Sequence, residues 1–124
     1  MTTGLRIFIN APFTDGGNRA GEPIVDANVQ AVFNAAIQLE ELGFAPYPEI
    51  YYRHQMDRYR EQPTHQAWKT AKAWIQTSDI MLSLRKGTMT CRDADLRENF
   101  AKEFGLKVVY LMKDLIPNGM RKSP

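Results

Sequence analysis

The spacing of apolar residues changes rhythm several times along the chain. Leu5-Arg-Ile-Phe-Ile-Asn10 is a short apolar run, which predicts a buried strand that Ala11-Pro-Phe13 breaks. Thr14 to Pro23 is rich in turn formers and reads as a long loop, of the kind that usually serves function. From Asp26 the period becomes helical, with Val29, Val32, Phe33, Ala36 and Ile37 on one face. Asp26 is the expected N-cap and Gly43 the expected C′ residue. Phe44-Ala-Pro-Tyr47 is short and extended. Glu49 to Thr64 is polar and aromatic and fits neither a helical nor a strand template. A second helix is expected from about Thr64 to Thr77, with Trp68, Ala71, Trp74 and Ile75 inward. Asp79 to Leu84 predicts a buried strand and Arg85 to Cys91 a loop. Asp93 or Asp95 is expected to cap a third helix with Leu96, Phe100 and Phe104 inward and Gly105 at its end. Lys107 to Met112 is the last predicted strand, and 117–124 a tail.

Strands therefore alternate with helices. That order predicts one small α/β domain over 1–116, with helices on the faces of a mostly parallel sheet. In such sheets ligands bind beyond the carboxyl ends of the strands. Here those ends are Asn10–Phe13, the segment after Tyr47, and Leu84–Gly87.

Composition narrows the function classes. The chain has 124 residues, 44% hydrophobic and 24% charged, which suits a soluble globular domain with its own core. No apolar run is long enough for a membrane helix. The first residues lack the charged and apolar regions of a signal peptide, so none is expected. A single cysteine, Cys91, points to a reducing, cytoplasmic setting. Two scattered histidines and that cysteine argue against a zinc site, and no metal or cofactor is expected. Net charge is +2, but residues 1–50 hold 2 basic and 6 acidic side chains, and residues 51–124 hold 14 and 8. The asymmetry allows a basic surface facing phosphate or RNA, but no Lys/Arg-rich run supports nucleic acid as the partner.

Two segments carry a resemblance. Arg6-Ile-Phe-Ile-Asn-Ala-Pro-Phe13 looks like the opening strand and turn of the nucleoside 2-deoxyribosyltransferase family, which usually reads Ile-Tyr-Leu-Ala-Gly-Pro-Phe. Thr77 to Leu82, Asp93 to Gly105 and Val108 to Leu111 resemble that family's strand, loop, catalytic helix and final strand. The resemblance implies a flavodoxin/Rossmann-like three-layer fold and a nucleoside or nucleotide ligand. It also implies a homo-oligomer whose neighbouring subunits complete the pocket. In the family a glutamate on the first turn of the catalytic helix attacks the anomeric carbon, forming a glycosyl-enzyme that a second base or water resolves.

The sequence departs from that pattern at the reacting positions. Aligned on Ala101 and Gly105, the nucleophile position holds Arg97 and the family's glycine is Asp93. The first-strand tyrosine is Phe8, the loop aspartate Cys91, and a further aspartate position Ala71. Asp79 does match. Glu98 lies one residue past the expected place, a turn of about 100° around a helix. It is either a displaced nucleophile or a surface carboxylate. Asp93 and Asp95 are either reacting carboxylates or helix-start residues. Arg97 either binds an anion at the helix N-terminus or is a solvated arginine. Arg85, Lys86 and Arg92 share its rim. Asn10, Phe13, Arg19 and the Gly16-Gly17 loop complete the ligand-binding candidates, with Phe8 beside them, and Tyr47, Tyr51 and Tyr52 offer rings for stacking.

Two functions follow. One is an enzyme that cleaves or transfers an N-glycosidic bond with Glu98, Asp93 or Asp95 as its carboxylate. The other is a nucleotide-binding or regulatory protein of the same fold that lacks this chemistry.

Overall fold

The computed structural model describes residues 4–11, 23–60, 64–84 and 92–115. Its elements run β1 (Arg6–Asn10), α1 (Pro23–Glu41), β2 (Ala45–Pro48), α2 (Glu49–Tyr59), α3 (Thr64–Thr77), β3 (Ile80–Ser83), α4 (Arg92–Phe104), β4 (Lys107–Val109) and a 3-10 turn at Met112–Leu115. The strands form a four-stranded sheet in the order β2-β1-β3-β4, and every pairing is parallel. The chain is thus an α/β protein, with helices covering both faces of the sheet in a three-layer arrangement.

Strand alternation sorts the core. Ile7, Ile9 and Leu82 face α1, where Val29, Val32, Ala35, Ala36 and Leu39 meet them. Phe8 and Met81 face the other way, against Ala71 and Ile75 of α3 and Ala101 of α4. Burial on both sides explains why β1 and β3 read as continuous apolar runs.

Helices α1 and α4 end in the same way. The Gly43 N–H donates to Glu40 C=O and the Phe44 N–H to Leu39 C=O. Gly105 and Leu106 repeat that pattern on Lys102 and Ala101. Gly43 and Gly105 sit at φ +95° and +92°, the left-handed conformation that this cap requires.

Several expectations are corrected. Helix α1 begins at Pro23, so Asp26 lies within it rather than capping it. Pro suits a first helical turn, where its missing N–H costs nothing. The polar and aromatic segment from Glu49, which fits neither template, forms α2. The last strand stops at Val109. Phe33 and Ile37 turn partly to solvent, while Ala35 and Leu39 take the buried places on α1. On α4 the buried stripe is Ala94, Arg97 and Ala101, leaving Leu96 and Phe104 exposed. Asp93 and Asp95 lie inside the first turn of α4, where their charge favours the positive end of the helix.

Strand β2 is an edge strand. Its Ala45 N–H donates inward to Leu5 C=O, and Ala45 pairs with Arg6 and Tyr47 with Phe8. The intervening Pro46 and Pro48 therefore meet the outer edge, where neither has an N–H to offer.

Candidate functional site

The sheet order reverses direction between β1 and β3, so the crevice beyond their carboxyl ends is the expected ligand position. Asn10 and Ser83 close those two strands and pair in register. Both are wholly buried. The Asn10 Nδ2 donates to Ser83 Oγ at 3.2 Å and to the Ala94 C=O of α4 at 3.0 Å. A carbonyl only accepts, so this contact fixes which end of the amide faces α4. The amide Oδ1 then has no partner among the described residues. A buried orphan acceptor is costly, and it marks a place where a donor is wanted.

Ser83 continues the chain of bonds. Its Oγ, already receiving from Asn10, donates to Glu98 Oε1 at 2.9 Å. The Tyr110 hydroxyl donates to Glu98 Oε2 at 2.8 Å, and Lys102 pairs with the same oxygen at 3.1 Å. Hydrogen bonds to Tyr110 and then Glu98 hold the Lys102 ammonium above its usual pKa. Glu98 is thus held from β3, from the segment after β4 and from its own helix. The polar line Asn10–Ser83–Glu98–Tyr110 spans the carboxyl ends of β1, β3 and β4.

Arg97 points elsewhere. Its Nε and Nη2 donate to the two carboxylate oxygens of Glu49 at 2.7 and 2.8 Å, and Nη1 donates to Asp93 C=O at 3.1 Å. Both side chains are buried, at 9% and 5% exposure. The guanidinium lies 5.6 Å from the Trp68 ring centroid. This forked geometry is the strong form of the ion pair, and Glu49 neutralises the charge that an anionic ligand would need. Arg97 and Glu98, adjacent in sequence, therefore serve different parts of the carboxyl edge: one ties α4 to α2, the other ties α4 to β3 and to the segment after β4.

The remaining candidates divide in three. Phe8 is fully buried in the core on the α3 and α4 side of the sheet, its ring 5.7 Å from Tyr47. Asp93 is exposed and Asp95 half-buried. Phe13, Arg19, Arg85, Cys91 and the Gly16-Gly17 loop lie outside the described residues, as does the Arg92 side chain. Asp79 acts at the opposite end of the sheet, accepting the Arg6 N–H at 2.7 Å. Sequence reasoning missed Glu49 and Ser83. The signal for Glu49 was slight: a carboxylate directly after a Pro-ended strand, at a carboxyl end. Ser83, like Asn10 a small polar residue ending an apolar strand, was readable by position.

Among the described residues no group of three His, Cys, Asp or Glu side chains stands together to hold a metal. No described helix is long and apolar enough to cross a membrane. No protein-family model matches the chain, and no curated protein matches it in sequence.

Proposed function

We propose that this chain binds a nucleoside or nucleotide at the carboxyl ends of β1 and β3 and acts on its N-glycosidic bond through Glu98. The observation that carries the reading is the polar line itself. It sets a carboxylate fixed by two hydroxyls, and a buried Asn10 acceptor with no partner among the described residues, at the switch point of a parallel sheet. The resemblance of the first strand and of the 93–105 segment to nucleoside 2-deoxyribosyltransferases supplies the substrate class. In that chemistry a Glu98 oxygen attacks the anomeric carbon, the C–N bond breaks with its electrons leaving on the base, and water or a second base takes the sugar from Glu98. A homo-oligomer and a cytoplasmic setting belong to the same proposal. The exposed Leu96 and Phe104 of α4, and Leu111 after β4, offer apolar surface for self-association.

Binding is tested by thermal unfolding with 2-deoxynucleosides and their 5′-monophosphates. A ligand at a hundred times its Kd stabilises by about 2.7 kcal/mol. Stabilisation by members of this panel, reduced in Asn10→Leu, is the expected result. An unchanged Tm across the whole panel contradicts the proposal.

The second reading, binding without turnover, draws on one observation. Arg97 stands at the family's nucleophile position and is committed to Glu49. Under that reading ligands stabilise the protein and no base is released.

A further inference from the structure

A second concave surface lies away from the carboxyl-end crevice, over the first residues of β1 and β2. It is a groove of about 570 Å³ between α2 and α3, walled by Tyr47, Tyr52, Met56 and Trp74, with Gln55 and Arg6 at its rim. That volume is in the range of small-molecule sites, and an apolar lining with few polar groups is their usual composition.

The walls select shape. Trp74 and Tyr47 stack with centroids 4.4 Å apart and planes 13° apart. Tyr52 leans on Tyr47 at 5.3 Å and 34°. All three rings line the groove, so its wall is largely aromatic. Yet Tyr52, Met56 and Trp74 remain 45%, 46% and 44% exposed. Leaving large apolar side chains this open around a concavity is unfavourable unless something occupies it. The rim selects charge. Arg6 is paired with Asp79 at 3.7 Å, so it brings little net charge, while Gln55 places an amide among the groove residues. The edge selects against peptide. Pro46 removes the outward N–H that strand addition would use.

We infer that this groove is a binding site for an uncharged planar heteroaromatic molecule of nucleobase size, held by stacking on Trp74 and Tyr52. It goes beyond the function proposed above, because it lies toward the other end of the strands and uses none of the same residues.

Trp74 is one of two tryptophans in the chain, so Trp68→Phe makes it the sole indole reporter and removes the ring beside Arg97. Adenine is the probe and cyclohexanol, of similar bulk but not planar, the control. Saturable quenching of Trp74 fluorescence by adenine and none by cyclohexanol is expected. Tyr52→Ala in that background should weaken adenine about tenfold or more, the usual loss for one stacking ring, with the circular dichroism spectrum unchanged. If Trp68→Phe does not fold, the Trp74 indole N–H resonance of the wild-type protein serves as the readout. Purely collisional quenching, equal response to both probes, or unchanged affinity in Tyr52→Ala overturns the inference. So does self-association that shields Trp74 without any ligand, since the occupant is then a second copy. Groove binding is read at Trp74 and glycosidic chemistry by released base, so each proposal can fail alone.

Discussion

Arg97 and Glu49 are charged side chains buried with their charges matched, and removing either one strands the other. Arg97→Met or Glu49→Leu alone is expected to destabilise the fold by about 3–5 kcal/mol, and the double change Arg97→Met with Glu49→Leu to recover most of that loss. Urea unfolding of the singles and the double checks this. Additive losses would show that the two do not act as a pair. Tyr47 makes a pH prediction. Burial above all, and then the negative charge of Glu49, push its pKa from 10.0 up to about 12. The unfolded chain therefore releases this proton first as pH rises. Stability from Tyr47 is complete below pH 10 and is lost as pH climbs through the interval to about 12. Tyr47→Phe should flatten that part of the stability curve, and tyrosinate absorbance should show one late-titrating ring.

At the scale of elements, the helix ends were the most legible features. Gly43 and Gly105 follow apolar helical periods, and each is the left-handed residue of its cap. A Cβ built on Gly105 meets nothing within 4 Å, so Gly105→Ala tests backbone strain alone. It should cost about 1–2 kcal/mol in thermal or urea unfolding. No loss would place Gly105 outside the cap. Helix α3 was legible in part: Ala71 and Ile75 are where the helical period puts them, but Trp74, expected inward, is 44% exposed and stacks on Tyr47. Helix α2 was not. Its aromatic residues are shared between two environments, with Tyr51 against Phe33 of α1 and Tyr52 against Tyr47, so no single apolar stripe forms. Helix α4 misled for a related reason. Leu96, Phe100 and Phe104 keep a helical period, but small Ala94 and Ala101 flank the Arg97 ion pair and take the sheet-facing places. The β2 edge gives one more expectation. Pro46→Val restores an outward N–H and should produce concentration-dependent self-association by sedimentation velocity, where unchanged sedimentation would show that proline does not guard this edge.

For the molecule as a whole, the alternation of strands and helices was enough to give a parallel α/β sheet, because short apolar strands separated by helices leave few other arrangements. The strand order and the composition of the carboxyl edge were not readable in the same way. The bond from Asn10 to Ala94, the bond from Ser83 to Glu98 and the pairing of Glu49 with Arg97 join residues that no local pattern connects. Asn10 and Glu98 were singled out by position and resemblance. The line of hydrogen bonds that places them together is a property of the folded sheet.

That line is the centre of the functional account, and its most direct test is chromatography of free base. The protein is incubated for a long period at high concentration with 2-deoxynucleosides and 2-deoxynucleotides, with and without an acceptor base. Base release or exchange is expected, lost in Glu98→Ala and retained in Asp93→Asn. Exchange that needs the acceptor would identify a transferase, and release without it a hydrolase. No turnover across the panel, or turnover that survives Glu98→Ala, would contradict it.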